Sequence, residues 1–364
     1  MKIGVACGGT GGHIFPGLVT ADVLKRRGHQ VTLWLAGRSV EGVSAGGWDG
    51  PVVTVEAAGF SSRVSWRWAG AAWALLRALR ECRRRMKADR PEVLLAMGSY
   101  ASVGPVLAAR TLGVPVVLHE SNAVPGRAIQ MLSRLAAAVA VSFEAAGRYL
   151  RHARVVTTGF PIRAELDERF EQGVLAADAF AVLVMGGSQG AHTLNVVASD
   201  ALCRLRARGV AVQAVHLTGV KDEAWVRAKY QQAGVPAVVF GFLRAMGKAY
   251  HAADLAITRG GAATCAELAA CAVPALIVPL PSARRDHQTA NGLTLQVAGG
   301  ADVMAQKDLT VEWLAGYIES SRLHPGRRDA MRLAMKNIPL ADRTGKLADL
   351  VEEIGAGGRD HAHL

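Results

Sequence analysis

Apolar positions in this chain come in short unbroken runs rather than in alternation. Ile3 to Ala6 is one such run, and it passes into Gly8-Gly9-Thr10-Gly11-Gly12-His13 and then into a helical pattern ending near Gly28. Runs of this kind suit strands of a parallel sheet covered on both faces, because a strand with one wet face alternates. The same succession returns at Ala181 to Met185, followed by Gly186-Gly187-Ser188-Gln189-Gly190-Ala191-His192, a helical stretch to about Arg208 and another apolar run at 210–217. A second pair supports the first: 93–118, with Gly98-Ser99-Tyr100 after its strand, resembles 255–278, with Arg259-Gly260-Gly261 in the same place. Strand, glycine turn and helix repeated in order predict two tandem α/β domains, each a parallel sheet with helices on both faces.

Gly159 and Pro161 interrupt the pattern between the halves, which puts the hinge near Thr158 to Arg163 and the domains at 1–160 and 161–340. The last helix, near 341–354, fits either domain and is free to pack back on the first. Residues 355–364 read as a flexible tail in which His361 and His363 take no part.

Composition narrows the class. With 364 residues, 51% hydrophobic and 20% charged, the chain can bury two cores, and disordered or disulfide-scaffold classes are excluded. Its 5 cysteines include no Cys-x-x-Cys pair, so neither a disulfide frame nor a zinc site is indicated. The net charge of +12 is uneven: Arg63, Arg67, Arg77, Arg80, Arg83, Arg84, Arg85 and Lys87 face only Glu81 between 63 and 87, leaving +7 of it there. A nucleic-acid groove would spread its basic residues and interleave stacking aromatics, so a local anionic surface is the better fit and no nucleic-acid partner is expected.

A glycine turn at a helix start offers unpaired N–H groups and the positive end of the helix dipole, with no Cβ to obstruct a phosphate. Both turns can therefore hold diphosphates. Neither reads as a Walker loop, and the first lacks the spacing of a dinucleotide fingerprint. His13 stands at the helix start, where the dipole disfavours imidazolium and keeps a neutral base; a polar cap for the turn is the alternative. His119-Glu120-Ser121-Asn122 ends a strand, offering a carboxylate and an amide to a sugar or serving the turn itself. Glu267 is the one acid in an otherwise apolar helical run and fits either a ribose acceptor or the helix's wet side. Asp286-His287-Gln288 with Asn291 completes no metal motif. Arg163, just past the hinge, faces a leaving phosphate or solvent.

Taken in order, Gly8 to Gly17, His119-Glu120-x-Asn122, Gly186 to Ala191, Thr264-x-x-Glu267 and Asp286-His287-Gln288-x-x-Asn291 resemble the motifs of the MurG family of glycosyltransferases, glycosyltransferase family 28, from residue 1 to about 350. The resemblance implies a GT-B fold, two Rossmann-like doubly wound domains facing a cleft. It also implies inverting transfer of GlcNAc from UDP-GlcNAc to the 4-hydroxyl of lipid I, the undecaprenyl-diphosphate-linked MurNAc-pentapeptide, in peptidoglycan synthesis. Carried over by position, donor contacts fall on Thr10, Gly11, Gly12, Asn122, Arg163, Ser188, Leu243 for the uracil, Ala262, Ala263, Thr264, Cys265, Ala266, Glu267 and Gln288. Gly98, Ser99 and Tyr100 form the acceptor-diphosphate loop. Ser99 stands where that loop usually has glycine and narrows it, Ser121 where glutamine is common, and Phe160 where asparagine is usual; none touches Glu267 or the two glycine turns.

The reaction needs a nucleophilic hydroxyl and a stabilised UDP. His13 is the first choice for the base and Glu120 the second, while the turn at Ser188 with Arg163 takes the place of a metal, so no cofactor is expected. Trp66, Trp68 and Trp73 precede Arg83, Arg84 and Arg85, a combination suited to an anionic membrane surface; a solvated helix with its tryptophans in the core is the alternative. The expected place is peripheral, on the cytoplasmic face of the bacterial inner membrane, beside cell-wall synthesis or division proteins. A GT-B transferase for another lipid acceptor, a nucleotide-sugar-binding scaffold and a nicotinamide-dependent oxidoreductase are the competing readings.

Overall fold

The computed structural model describes residues 1–8, 11–37, 47–55, 67–152, 154–176, 178–187 and 190–360. The chain divides into two units, Met1–Ile162 with Asp342–Leu364, and Arg163–Ala341.

The first unit is built on a 7-stranded sheet, β3-β2-β1-β4-β5-β6-β7, comprising β1 (Lys2–Ala6), β2 (Gln30–Leu35), β3 (Val52–Thr54), β4 (Val93–Ala96), β5 (Val116–Glu120), β6 (Ala138–Val141) and β7 (Val155–Thr157). Every pairing is parallel. The unbroken apolar runs are explained by burial on both faces: Val93 and Leu95 join Ile3, Val5 and Leu33 under the helices Gly11–Arg26 and Lys346–Asp360. Their neighbours Leu94 and Ala96 face the other way, toward the helices Arg67–Ala88 and Val103–Thr111. A two-stranded sheet pairs β8 (Phe160–Pro161) with β15 (Ala341–Asp342).

The second unit repeats the plan with a 6-stranded sheet, β11-β10-β9-β12-β13-β14. Its strands are β9 (Phe180–Met185), β10 (Val212–Leu217), β11 (Ala237–Phe240), β12 (Leu255–Thr258), β13 (Ala275–Ile277) and β14 (Ala301–Val303), again all parallel. One face is filled by Val182, Val184, Leu194, Leu202, Val226 and Ile318. In each sheet the strand order reverses beside the first strand of the unit, so the carboxyl ends of β1 and β4, and of β9 and β12, flank a topological switch point. The four glycine-bearing segments singled out in the sequence emerge at these ends.

The structure corrects the expectation of a tail from 355. The last helix runs from Lys346 through Gly355 to Asp360, and residues 361–364 lie outside the described part. Its start is fixed by the buried Asp342, whose Oδ1 accepts from the Gly345 and Lys346 amides (2.8 and 3.1 Å) and whose Oδ2 accepts from the Leu347 amide (3.1 Å). Leu347, Leu350 and Val351 then pack into the first unit's core, and Arg27 pairs with Asp349 and Glu352. Packing of this kind outweighs the roughly 1 kcal/mol by which a helical glycine falls short of alanine. A Cβ at Gly355 would lie 2.9 Å from Met1 Sδ and 3.1 Å from Val93 Cγ1, so the helix passes close to both side chains at this glycine.

Candidate functional site

At the first unit's switch point, Gly11 and Gly12 open the helix that follows β1, while Gly9 and Thr10 lie outside the described residues. His13 is half-buried in that first turn. The loop after β4 comes up against it: a Cβ on Gly98 (φ 88°) would stand 3.5 Å from His13 Cδ2. Ser99 has φ 63° and ψ 171°, a region nearly reserved for glycine that costs a residue with a Cβ about 1–3 kcal/mol. Two hydrogen bonds offset this strain, as Ser99 Oγ donates to Gly8 O (2.8 Å) and accepts from the Ala101 amide (3.1 Å). The serine therefore keeps a glycine backbone and ties the second loop to the first. Tyr100, half-buried, begins the short turn that leads into the helix Val103–Thr111.

At the end of β5 the structure separates roles that the sequence left together. His119 is fully buried, with Nε2 3.1 Å from Ser142 Oγ, Nδ1 3.5 Å from Ser121 Oγ and the Phe160 ring edge-on at 6.4 Å. Burial pushes its pKa down to about 4, so it is neutral and a poor base at neutral pH. Glu120 is buried too: Oε1 accepts from the Asn122 amide (2.8 Å) and Asn122 Nδ2 (3.1 Å), and Oε2 accepts from the Gly126 amide (2.8 Å). Both carboxylate oxygens thus brace the loop 120–126.

In the second unit, Gly186, Gly187, Gly190 and Ala191 of the turn after β9 are described and Ser188 is not; the helix His192–Ala207 starts directly after them. The segment after β12 places Arg259 in the interior, donating to Val278 O (3.0 Å), Pro279 O (3.2 Å) and Gln306 Oε1 (2.6 Å). The helix Ala262–Cys271 opens at Gly261 with no side-chain cap on its first amides. Ala262, Ala263 and Thr264 are half-buried at that opening. Cys265 and Ala266 are fully buried, and burial pushes the Cys265 thiol up to about 12, so these two can offer a ligand only their backbone.

Glu267 does not lie on a wet face. It is 5% exposed, accepts from Tyr250 Oη at Oε2 (2.9 Å), and has Arg163 Nη2 3.5 Å from Oε1. Burial raises its pKa, while Arg163 and the Tyr250 hydroxyl act against that rise. Gln288 Oε1 accepts from the Leu280 amide (2.9 Å) and Asn291 Nδ2 donates to Gly260 O (3.0 Å), so the helix His287–Val297 holds both the proline-rich segment and the glycine turn. Leu243 is half-buried in the loop before Met246–His251, beside the exposed Phe242. Tyr250, set between Lys248 and His251, carries no distinguishing signal in the sequence, and Arg259 is marked only by its place before Gly260-Gly261.

The basic segment forms the helix Arg67–Ala88, with Ala78, Cys82 and Met86 buried one turn apart. Trp66 and the side chain of Trp68 lie outside the described part. Trp73 is 62% and Leu76 49% exposed, so Trp73 is not a core residue, and the Arg77 guanidinium lies 5.9 Å from its ring centre. Arg84 and Arg85 both engage Glu81, and Arg83 donates to Thr111 O (2.9 Å) at the end of the neighbouring helix. No helix among the described residues is long and apolar enough to cross a membrane, and no three of their His, Cys, Asp or Glu side chains gather as a metal-ligand set.

Residues 3–141 match the glycosyltransferase family 28 N-terminal domain and residues 181–346 the glycosyltransferase family 28 C-terminal domain. Over 364 residues the chain is 35% identical to the UDP-N-acetylglucosamine–N-acetylmuramyl-(pentapeptide) pyrophosphoryl-undecaprenol N-acetylglucosamine transferase of Anaeromyxobacter sp. (strain Fw109-5), covering 97% of this chain and 93% of that one. The enzyme of the same name from Halorhodospira halophila is 39% identical, covering 98% and 99%. Among solved structures, Acinetobacter baumannii MurG superposes with a TM-score of 0.79 at 29% identity over 97% of this chain and 99% of that one. The calicheamicin glycosyltransferase CalG4 shares the fold, with a TM-score of 0.70 at 15% identity, covering 97% and 98%. Two parallel-sheet α/β units in this order are the GT-B architecture expected from the sequence.

Proposed function

Since the chain belongs to glycosyltransferase family 28 and matches its peptidoglycan transferases over nearly its full length, we propose that it transfers GlcNAc from UDP-GlcNAc to the 4-hydroxyl of the MurNAc in lipid I, giving lipid II and UDP. The structural observation that supports this best is that each sheet carries a pair of glycine-bearing loops at its switch point. The reaction has two diphosphates, one on the donor and one on the lipid. Each unit supplies backbone N–H groups at a helix start for one of them.

In this reading the second unit holds the donor, through the turn 186–191, the opening of the helix Ala262–Cys271 and Glu267 on the ribose hydroxyls. The first unit holds the acceptor diphosphate at Gly98, Ser99 and Tyr100. His13 takes the proton of the 4-hydroxyl as its oxygen attacks the anomeric carbon from the face opposite UDP. The bond to the phosphate oxygen breaks, and the electron pair leaves with UDP. Arg163 and the helix start after Gly190 stabilise that charge, which is electrostatic work that preorganised donors do without reorganisation. His13 is preferred to Glu120 because the Glu120 oxygens are already committed to the loop, and to His119 because burial makes that ring a weak base.

UDP release from UDP-GlcNAc with a lipid I analogue is the direct test, run with and without EDTA. Release that depends on the acceptor and is unchanged by EDTA is expected. UDP-GlcNAc binding without release would point to a different lipid acceptor.

The exposed Trp73 and Leu76 beside Arg77 and Arg80 suit docking at the anionic cytoplasmic face of the inner membrane, where the lipid substrate would be met. Salt-sensitive binding to anionic vesicles is expected, weakened about tenfold or more when Arg83, Arg84 and Arg85 become Gln together, since each basic residue near such a surface adds attraction. Changing Trp73 and Leu76 to serine removes the salt-insensitive part. Undiminished sedimentation of both variants with vesicles would reject this surface.

A further inference from the structure

Glu267 is held by two side chains from different elements, and only Arg163 among them has a place in the proposed chemistry. The other is Tyr250, fully buried near the end of the helix Met246–His251, whose hydroxyl donates to Glu267 Oε2 at 2.9 Å. A buried tyrosine needs a partner for its hydroxyl, whereas phenylalanine would fill almost the same space with no such demand. The hydroxyl is accounted for by what it does to the carboxylate.

We infer that Tyr250 is a positioning residue for the donor: its hydroxyl fixes the rotation of the Glu267 carboxylate so that the remaining lone pairs are aimed at the vicinal hydroxyls of a ribose. The inference rests on Glu267 being the ribose acceptor. A carboxylate has about four acceptor positions, and Tyr250 occupies one on Oε2. Arg163 restrains the Oε1 side at 3.5 Å, longer than a strong charge-assisted hydrogen bond, so that contact alone does not fix the rotation. With Tyr250 in place, the group meets the donor already oriented, and little side-chain freedom is lost on binding.

The hydroxyl also supports the charge. Burial raises the pKa of Glu267, and Arg163 and Tyr250 are the groups that oppose it. On the neighbouring helices, among the described residues, Lys248 is engaged by Glu168, His251 Nε2 contacts Leu166 O, Arg332 is engaged by Asp254 and Asp329, and Asn291 is neutral and bonded to Gly260 O. Cys271, on the same helix, interacts with Tyr250. Loss of the tyrosine hydroxyl therefore raises the pKa of Glu267 further, and donor affinity then declines at a higher pH than in the wild type.

The test is calorimetric binding of UDP and of 2′,3′-dideoxy-UDP to the full chain as wild type, Tyr250→Phe, Glu267→Gln and the double variant. The preference for UDP is expected to fall about fivefold in Tyr250→Phe and at least as far in Glu267→Gln, with the double variant no worse than Glu267→Gln alone. UDP binding by Tyr250→Phe is expected to begin weakening at a higher pH than wild type as the pH is lowered. Tyr230→Phe is the control, because Tyr230 is equally buried in the same unit and bonded to His216 Nδ1 at 2.9 Å, so it reports general loosening. A wild-type preference in Tyr250→Phe, with the preference lost in Glu267→Gln, overturns the role of Tyr250 and leaves the ribose assignment standing. An unchanged preference in Glu267→Gln overturns both.

Discussion

Replacing His13 with alanine is expected to lower kcat for acceptor-dependent UDP release by about a hundredfold or more, with the Kd for UDP changed by less than about threefold. The ring stands at the first turn of the helix Gly11–Arg26, close against Gly98 in the loop after β4, where the acceptor diphosphate is proposed to bind, and donor binding is proposed mainly for the other unit. A group that acts on the acceptor hydroxyl contributes to the transition state and hardly at all to UDP binding, which is why the two constants should separate. Glu120→Gln should behave differently. It turns a carboxylate that accepts three hydrogen bonds into an amide whose nitrogen faces backbone N–H groups, so the loop 120–126 loosens and thermal stability falls together with activity. Parallel measurement of kcat, UDP affinity and melting temperature for both variants checks the assignment. A His13→Ala enzyme with near-normal kcat, or a Glu120→Gln enzyme that melts as wild type but has lost its kcat, would move the base from His13 to Glu120.

The sheets were legible because unbroken apolar runs such as Val93–Ala96 and Phe180–Met185 have no explanation other than burial on both faces, and glycines mark where each run turns into a helix. The roles of individual polar side chains were less legible. His-Glu-Ser-Asn at a strand end reads the same whether the carboxylate meets a sugar or the amides two and six residues ahead, and only the path of the loop back to Gly126 decides it. Within the helix Ala262–Cys271 the half-buried opening Ala262, Ala263 and Thr264 passes straight into the buried run from Cys265 to Ala269, so a run of positions taken together from a motif contains Cys265 and Ala266, whose side chains are in the core. Tyr250 was invisible for a different reason: its partner lies 17 residues away on another helix, and no local spacing encodes that meeting. The sequence places the last helix near 341–354 with a tail after it, whereas the helix continues to Asp360 because Leu347, Leu350 and Val351 pack into the first unit's core.

Gly190→Ala is expected to weaken UDP binding about a hundredfold, while Gly187→Ala weakens it less than about tenfold. Both residues have positive φ, 74° and 89°, so both substitutions carry the strain of a Cβ in a left-handed conformation. They differ in what the Cβ meets. At Gly187 nothing lies within 4 Å, whereas at Gly190 the new atom would stand 2.1 Å from the carbonyl oxygen of Thr218 and 3.2 Å from Gly219 Cα. Thr218 follows directly on β10, and its carbonyl also accepts from the buried Asn195 Nδ2 (2.9 Å), so the obstacle cannot step aside. The turn must move instead, and with it the N–H groups at the start of the helix His192–Ala207. Hydrogen bonds from a backbone to a charged group are worth about 1.5–3 kcal/mol each, and losing two at the low end of that range accounts for roughly a hundredfold. Calorimetry with UDP, paired with thermal melting to show that each variant is folded, separates the two effects. Wild-type affinity in a folded Gly190→Ala would mean that the diphosphate is not held at this turn, and would shift its binding to the opening of the helix Ala262–Cys271.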